Sequence, residues 1–340
     1  MMMLELTALR DQYRADKAAL LIDLANSGND TRGVQAALRG LSELADAMLK
    51  QLWKRAGLGA PLALLGVGGF GRGELFPYSD VDVLILMPDE HTPANDSETS
   101  ARVEAFIGSC WDAGLEIGSS VRTLNQCLVE ADKDVTVQTA LLESRLIVGD
   151  KKRCQRFQVT CLAAIDAQRF FVAKTLEMQQ RHNRFEDTPY ALEPNCKESP
   201  GGLRDLQIIL WVAKAAGLAD NWTDLGRAGL ATPFEIKQLR HNESVLRLIR
   251  ARLHLVAKRR EDRLVFDLQT SVAETFGYQQ PEDGSPRPPV RPSEMLMRHY
   301  YWAAKAVRQL NQILLLNIEE RLNPTRHTLR PLSEDFYDKS

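Results

Sequence analysis

The chain has 340 residues, of which 44% are hydrophobic and 26% are charged, and its formal net charge is −2. This length is sufficient for two domains, each with a hydrophobic core of its own. A chain so close to neutral has no overall positive field, which argues against a protein that binds nucleic acid through its phosphates.

The first third of the sequence alternates between helical and strand patterns. Amphipathic periodicity predicts two helices, over 3–26 and 33–57, separated by a break at 26–30. Short apolar runs next to turn residues predict three strands, and one further helix precedes the last of them. The strands cover 61–67, 81–87 and 115–123, and the helix covers 101–113. The sheet should therefore lie within about the first 125 residues.

Helical periodicity dominates the rest of the chain. The predicted helices cover 134–147, 152–185, 203–217, 234–260 and 293–321. Segments rich in Pro, Gly and Asn interrupt them at 187–202 and 280–292, and PEDGSPRPPVRP (281–292) is expected to form a surface loop. The whole pattern predicts an α+β protein, in which a small sheet with flanking helices is followed by an all-α domain.

Cysteine usage and hydropathy indicate a protein of the reducing cytoplasm. The five cysteines include no CxxC pair and no paired His spacing, so neither a zinc site nor a disulfide framework is predicted. No window reaches the roughly 18 consecutive apolar residues that a membrane span needs. The N-terminus, which mixes charged and apolar residues, does not have the pattern of a signal peptide or an anchor.

A glycine-rich stretch, GVGGFGRGELFPYSDVDVLIL (66–86), contains the spacing GxGxxG at Gly66, Gly68 and Gly71. That spacing after a strand is typical of dinucleotide-binding folds. Such folds need a crossover of a dozen or more residues, including a full helix, before the next parallel strand. Here Pro77 follows only six residues after Gly71, which leaves room for one helical turn at most. The context therefore argues against a dinucleotide site.

The aspartates of the same stretch favour a metal-dependent site. Asp80 and Asp82 are two residues apart on a predicted strand, so their side chains emerge on one face. Two close carboxylates raise each other's pKa, and a divalent cation relieves that conflict. Mg²⁺ held by one or two carboxylates and substrate phosphates is usual in phosphoryl and nucleotidyl transfer. Gly68 and Gly69 allow the backbone to approach phosphates, and Ser79 adds a hydroxyl.

In combination, Gly68-Gly69 and Ser79-Asp80-Val81-Asp82-Val83 resemble the signature of the polymerase-β-type nucleotidyltransferase superfamily. Four further segments are similar, in order and spacing, to the N-terminal part of the bifunctional PII uridylyltransferases and uridylyl-removing enzymes of bacterial nitrogen signalling. They are LEIGSSVRTLNQC (115–127), TALLESRLIVGD (139–150), PNCKESPGGLRDLQ (194–207) and LHLVAKRREDRLVFDLQ (253–269). Together the segments extend over most of the chain.

The resemblance implies a domain organisation. Residues 1–130 are expected to form a polymerase-β-like nucleotidyltransferase domain with N-terminal helices and a small mixed sheet. Residues 131–330 are expected to form a helical domain that completes the nucleotide cleft. The tail 331–340 would then lead toward a hydrolase domain with an HD signature and two ACT domains, which do not follow in this sequence. Uridylyl removal and regulation by glutamine are accordingly not expected of these residues.

The resemblance also implies a reaction, in which UTP and the signal protein PII give uridylyl-PII and pyrophosphate. The acceptor is a tyrosine hydroxyl of PII, so no nucleophile from this chain is needed. Asp80 and Asp82 are the expected ligands of Mg²⁺, for which Mn²⁺ is a substitute. Members of the superfamily commonly use a third carboxylate on a neighbouring strand, and Glu116 is the candidate here. The expected partners include neither nucleic acid nor a membrane.

Basic residues near the glycine turns are candidates for binding the nucleotide phosphates. Arg72 follows the first glycine stretch, and Lys197 and Arg204 flank the glycines of KESPGGLRD. A helix predicted to begin near residue 203 would place its N–H groups there for an anion, and Asp205 is assigned to the same site. Alternatively, each of these residues caps a helix or faces solvent. The basic run 257–267 is typical of a solvated face, or else guides the triphosphate or docks PII.

Two other functions remain open on the sequence. An adenylyltransferase acting on glutamine synthetase shares the glycine–aspartate strand and a GGLRD-like turn, but that family typically continues with Ile-Glu-Phe, where this chain has Leu206-Gln207-Ile208. A nucleotide-sensing module without catalysis would keep the glycines and lose the metal ligands, whereas both aspartates are present. These departures favour uridylyl transfer. His254, within an apolar stretch, is predicted to be a core residue and not a catalyst.

Overall fold

The structure is a computed structural model that describes residues 2–26, 31–90, 97–278 and 290–323, together with 329–331 and 337–339. Within these ranges the helices are α1 (Met2–Asn26), α2 (Thr31–Arg55), α3 (Gly68–Gly71), α4 (Ser97–Asp112), α5 (Leu124–Lys133), α6 (Val135–Leu142), α7 (Lys151–Ala163), α8 (Ala167–Arg184), α9 (Leu203–Ala215), α10 (Trp222–Arg227), α11 (Pro233–Ala257), α12 (Phe266–Thr275) and α13 (Pro292–Leu322). The strands are β1 (Ala63–Gly66), β2 (Val81–Met87), β3 (Ile117–Thr123), β4 (Arg145–Gly149), β5 (Leu329–Pro331) and β6 (Tyr337–Lys339). Most of the predicted break at 26–30 and of the predicted loop at 281–292 lies outside the described residues.

The central sheet has four strands in the order β3-β2-β1-β4. Strand β1 runs antiparallel to β2 and to β4, whereas β2 and β3 are parallel. The sheet is therefore mixed, and with the helices that surround it the structure confirms the predicted α+β class. Strands β5 and β6 form a separate antiparallel pair, in which β6 lies in the segment predicted to be the tail and β5 ends where that segment begins.

The sequence patterns did not predict strand β4, and the predicted helix over 134–147 is wrong after residue 142. Helix α6 ends at Leu142, and Arg145–Gly149 then pairs with β1 at the sheet edge. The apolar run from α6 into β4 fits both helical and strand periodicity, so the pattern could not place the change. The sheet consequently extends to residue 149, beyond the first 125 residues and beyond the predicted domain boundary at 130.

Other differences concern short elements and helix ends. The helix predicted over 152–185 is divided into α7 and α8, because the Asp166 carboxylate accepts a hydrogen bond from the Arg169 N–H, at 2.9 Å, and starts a new helix. The glycine stretch forms only the four-residue α3 between β1 and β2, and β2 returns antiparallel to β1. This geometry excludes the crossover helix of a dinucleotide-binding fold. Helices α5, α10 and α12 were not predicted.

Three clusters of buried apolar side chains form the core. One face of the sheet packs on α2 and α4, where Trp53 meets Phe106 edge to face with ring centres 5.3 Å apart. The other face packs on α5, α6 and α7. The third cluster joins α8, α9, α11, α12 and α13. Helix α2 belongs to two clusters, because Val34 and Leu38 pack with the helical part and Leu49 packs under the sheet. No helix in the described ranges is both long and apolar enough to cross a membrane.

Candidate active site

A cleft of about 440 Å³ lies between the edge of the sheet and the helical part. The sheet side contributes the glycine turn and the aspartate strand. These residues are Gly68, Gly69, Ser79, Asp80 and Asp82. The helical side contributes cations from the loop before α9, from α9 itself, from α11 and from the loop that follows α11. These residues are Lys197, Arg204, Arg250 and Arg260. The structure thus brings together residues that are far apart in sequence.

The glycine turn forms where β1 ends and α3 begins. Gly68 has a φ of 56°, a left-handed conformation that glycine adopts without steric cost. A Cβ placed on Gly68 would meet no atom within 4 Å, so the backbone here faces open space at the cleft. Gly68 and Gly69 both line the cleft, and their contact with phosphates stays a prediction.

Asp80 and Asp82 emerge on the cleft side at the start of β2, whose alternate residues Val81 and Val83 are buried. Burial, and next the negative charge of Asp80, raise the pKa of the Asp82 carboxyl, whereas the positive charges of Arg260 and Lys197 oppose that rise. Asp80 Oδ2 accepts a hydrogen bond from the Arg260 guanidinium at 2.6 Å. The two carboxylates therefore form a negative pair that the cations of the helical side balance only in part.

Gly118 on β3 makes room for the Asp82 carboxylate. The parallel register pairs Gly118 with Asp82, and a Cβ on Gly118 would lie 2.5 Å from Asp82 Oδ1. Any other residue at position 118 would therefore displace that carboxylate. No local sequence pattern indicates this role, because it depends on a neighbour 36 positions away in the chain.

Two residues predicted for the site do not line this cleft. Glu116 is exposed just before β3, and the residue on which its charge acts is Lys17 of α1. Asp205 is completely buried at the start of α9. Glu116 nevertheless lies next to the strand of the aspartates, because its carbonyl accepts a hydrogen bond from the Val81 N–H at 2.9 Å and Ile117 pairs with Val81. Its role as a third carboxylate stays a prediction. The contact of Asp205 with the nucleotide has no support from the geometry, because Asp205 is buried away from the cleft.

Asp205 instead holds the loop that carries Lys197. Its carboxylate accepts hydrogen bonds from the Gly201 N–H at 2.7 Å, from His182 Nε2 at 2.9 Å and from the Arg181 guanidinium. Burial alone would raise the pKa of Asp205, but the hydrogen bond from His182 and the charge of Arg181 keep it below its usual value. Asp205 is therefore a buried, ionised residue that anchors the loop before α9 through the Gly201 N–H.

The predicted basic residues all line the cleft, and each already contacts a carboxylate. Arg72 pairs with Glu143 and lies 3.4 Å from Glu74. Arg204 donates to Glu198 Oε1 at 3.1 Å and to Gln207 Oε1 at 3.0 Å. Its guanidinium carbon also lies over the Trp211 ring, 5.2 Å from the ring centre, in a cation–π contact. Arg204 is thereby preorganised at the cleft wall with donors to spare.

Arg250 and Arg260 are cleft cations that sequence reasoning did not single out. Arg250 donates to Asp262 Oδ1 at 2.6 Å, and its guanidinium lies 3.9 Å from the centre of the Phe76 ring. Arg260 belongs to the basic run 257–267, which the sequence assigned to either a solvated face or the triphosphate. Its pairing with Asp80 places one member of the run in the cleft. His254 is buried, as predicted, with Nε2 3.3 Å from Asp262 Oδ1.

The charge of Lys197 should make nucleotide binding depend on pH. Burial, followed by the charges of Arg204 and Arg250, lowers the pKa of Lys197 to about 8. Lysine is positive only below its pKa, so this charge is present at neutral pH and is lost as the pH rises through about 8. We expect the affinity for a non-hydrolysable UTP analogue with Mg²⁺, measured by calorimetry, to fall between about pH 7.5 and pH 9, by up to about tenfold per pH unit. Lys197→Arg stays charged over this range and should remove the decline. A decline that persists in this variant would assign it to another group.

Comparison with known proteins agrees with this geometry. Residues 47–132 match the nucleotidyltransferase domain family, and residues 169–315 match the GlnD PII-uridylyltransferase family. Over residues 169–315 the chain is therefore similar to the GlnD PII-uridylyltransferase family. The first match includes the glycine turn and the aspartates, and the second includes the loop of Lys197 and Arg204. Nucleotidyltransferase domains generally use divalent metal ions.

Curated relatives of the chain are bifunctional uridylyltransferase/uridylyl-removing enzymes. The enzyme of Burkholderia lata is 54% identical over 334 residues, which are 98% of this chain and 37% of the relative. The enzyme of Cupriavidus pinatubonensis is 53% identical over 332 residues, 97% of this chain and 37% of the relative. The enzyme of Burkholderia thailandensis is 55% identical over 313 residues, 92% of this chain and 35% of the relative. The chain therefore spans little more than a third of the length of these GlnD relatives.

The acidic residues of the site fit a divalent cation held jointly with substrate. Asp80 and Asp82 offer carboxylate oxygens on one face, and burial, followed by the negative charge of Asp80, raises the pKa of Asp82. No group of three or more His, Cys, Asp or Glu side chains suited to a metal occurs among the described residues. One or two carboxylates completed by phosphates and water are the usual ligands of Mg²⁺, and Asp80 and Asp82 suit such a set.

Proposed function

We propose that this chain transfers UMP from UTP to a tyrosine hydroxyl of PII and releases pyrophosphate. The phenol oxygen forms a bond to the α-phosphorus, the bond from that phosphorus to the β-phosphate oxygen breaks, and the phenol proton passes to solvent. The observation that carries the proposal is the convergence, in one cleft, of the glycine turn, the aspartate pair and the cations of the helical part. The names of the family and of its relatives supply the nucleotide and the acceptor.

In this proposal Asp80 and Asp82 hold Mg²⁺, for which Mn²⁺ is a substitute. The bound metal would lower the pKa of the incoming phenol and stabilise the leaving pyrophosphate. Gly68 and Gly69 present backbone N–H groups to the phosphates, and Ser79 adds its hydroxyl. Nothing in the chain needs to form a covalent intermediate, because the acceptor itself is the nucleophile. We place this reaction in the cytoplasm of a bacterial cell.

The cations of the helical part offset the charge of the triphosphate. UTP carries about four negative charges, and the two aspartates add two more, so two Mg²⁺ ions leave about two uncompensated charges. Lys197 and Arg204, which share the carboxylate of Glu198, contribute to this compensation together with Arg250 and Arg260. Fixed cations in a partly enclosed site stabilise the charge that develops on the leaving pyrophosphate. The helical part therefore completes the site and does not merely support it.

The proposal is tested by offering the chain two nucleotides and two acceptors. Labelled UTP or ATP is incubated with Mg²⁺ and either PII or glutamine synthetase. We expect label on PII from UTP and none on glutamine synthetase from ATP. Transfer from ATP to glutamine synthetase would favour the adenylyltransferase alternative, and nucleotide binding without transfer to either acceptor would favour a sensing module.

Arg204→Lys tests the role of a planar, two-pronged cation in the same proposal. A guanidinium binds two phosphate oxygens at once, whereas an ammonium acts as a point charge. We expect UTP-analogue binding in the presence of Mg²⁺ to weaken by about tenfold, which corresponds to about 1.4 kcal/mol. The melting temperature of the nucleotide-free protein should change little, since Arg204 is not deeply buried. Intact binding, or a loss of stability that matches the loss of binding, would make Arg204 a structural residue.

A further inference from the structure

A second concave surface, which we call the aromatic groove, lies on the helical part outside the cleft. It has a volume of about 650 Å³ and is bounded by the loop before residue 193, by α12 and by α13. Four large apolar side chains line it although each is between 51% and 68% exposed. These side chains are Tyr190, Leu192, Phe266 and Trp302. Monomeric proteins rarely expose so many large apolar side chains together without a binding role.

The aromatic groove is held in shape by contacts of its own. The Tyr301 hydroxyl donates to the Ala191 carbonyl at 3.1 Å, and the rings of Tyr301 and Tyr190 lie edge to face at 5.6 Å. Gln269 donates to the Leu192 carbonyl at 2.8 Å. The groove is therefore a preorganised surface, which lowers the entropic cost of binding.

Two paired segments connect the aromatic groove to the cleft. The Cys196 N–H donates to the Asp262 carbonyl at 2.7 Å, and the Leu264 N–H donates to the Pro194 carbonyl at 2.8 Å. At one end of this ladder Lys197 and Arg260 line the cleft. Its other end reaches the aromatic groove at residues 192 and 266. Five or six residues span at most about 20 Å even when fully extended, so one macromolecule can reach both sites.

Charge and exposure indicate which kind of molecule fits. Among the described residues, Arg291, Arg298 and Lys305 line the aromatic groove with a single carboxylate, that of Glu294. A symmetric contact between two copies of this chain would bring these cations against each other, which is unfavourable. Small-molecule sites enclose most of their ligand, whereas these aromatic side chains are more than half exposed. Trp, Tyr and Arg together are typical of the energetic centre of a protein–protein interface.

We propose that the aromatic groove docks the acceptor protein whose tyrosine enters the cleft. It binds an apolar segment of PII that is flanked by carboxylates, with the apolar side chains on Trp302 and Leu192 and the carboxylates at Arg298 and its neighbours. This inference rests on the proposed function, since it takes PII as the acceptor. It adds where PII binds and what its contact surface contains.

The test compares groove variants with matched variants elsewhere on the surface. Trp302→Ala and Arg298→Glu change the groove, whereas Trp111→Ala on α4 and Arg156→Glu on α7 change residues of similar exposure far from it. Initial rates of labelling from saturating UTP are measured against PII concentration. Calorimetry with a non-hydrolysable UTP analogue and Mg²⁺ reports nucleotide binding separately.

For each groove variant we expect KM for PII to rise at least about tenfold, with kcat and nucleotide affinity within about twofold of the parent. The two control variants should match the parent. An unchanged KM in both groove variants, or a parallel loss of nucleotide affinity, would overturn the docking proposal. So would light scattering that showed the parent as a dimer and Trp302→Ala as a monomer.

Failure of the proposed function is distinguishable from failure of docking. If the parent chain does not label PII, direct binding of fluorescent PII is measured by anisotropy with the same variants. Binding that is weakened by the groove variants supports docking even though the transfer proposal has failed. If instead the parent labels PII and the groove variants label it equally well, the transfer proposal is supported and the docking proposal is refuted.

Discussion

Replacing Asp82 with asparagine is expected to abolish detectable transfer of label from UTP while the protein stays folded. The substitution keeps the size of the side chain and removes one of the two charges proposed to hold the metal. Changes in residues that only support metal ligands already cost about ten- to a hundredfold, so loss of a ligand should cost at least about a hundredfold. The readout is label on PII at saturating UTP and Mg²⁺, with thermal unfolding followed by circular dichroism.

The stability of this variant is part of the prediction. Burial and the charge of Asp80 raise the pKa of Asp82, so the folded protein disfavours the ionised form relative to the unfolded chain. At neutral pH the ionised carboxylate therefore lowers stability, and Asp82→Asn should leave the melting temperature unchanged or slightly higher. Full transfer activity in this variant would refute the assignment of Asp82 as a metal ligand.

Glu116→Gln is the informative companion to Asp82→Asn. Glu116 does not line the cleft, so the geometry predicts that this variant retains most of its transfer activity. A loss as large as that of Asp82→Asn would instead establish Glu116 as the third carboxylate that the sequence suggested. The same labelling assay decides between the two results.

Asp205→Asn should produce the opposite pattern, a large loss of stability. The Asp205 carboxylate is completely buried and neutralises Arg181, whose side chain is only 9% exposed. Without Asp205, the charge of Arg181 keeps, among the described residues, only the Glu198 carboxylate, 3.7 Å away, and breaking a buried ion pair typically costs about 3 to 5 kcal/mol. We expect urea unfolding to show a loss of this size. UTP binding should weaken as well, because the loop of Lys197 loses the anchor at the Gly201 N–H.

A surface pair supplies the control for Asp205. Asp132 lies 3.8 Å from Arg169 with both side chains largely exposed, so Asp132→Asn should change stability little. If Asp205→Asn is as stable as the parent and yet loses UTP affinity, the result would support the hypothesis from the sequence that Asp205 contacts the nucleotide directly. If neither property changes, the buried cluster has no role in the site.

The parts of the site that could be predicted are those encoded by local spacing. The two-residue interval of Asp80 and Asp82 determines that they share a strand face, and the short interval to Pro77 rules out a crossover helix. Local capping signals were also present for an element that was missed. The Thr123 hydroxyl and the Gln126 side chain form a capping box at the start of α5, and the spacing of these two residues is visible in the sequence.

The remaining site residues depend on how distant segments pack. Arg250 lies on an amphipathic helix where nothing in the sequence distinguishes it from other arginines, and only the docking of α11 on the sheet part brings it to the cleft. Gly118 has a role only because β3 pairs with β2. The misplacement of Asp205 has a similar cause. An acidic residue in the first turn of a helix suits either an external anion site or an internal anchor, and the tertiary partners Arg181 and His182 determine which.

Helix α2 packs in the apolar cores of both the sheet part and the helical part, and this limits how the cleft can open. Its first half is buried with the helical part through Val34 and Leu38, and its second half is buried under the sheet through Leu49 and Trp53. The helix contains no proline at which it could bend. A rigid rotation of one half against the other would therefore have to break apolar contacts at one end of α2. We infer that nucleotide entry and pyrophosphate release rely on side chains and short loops, such as the one that carries Arg260, and not on a hinge between the halves.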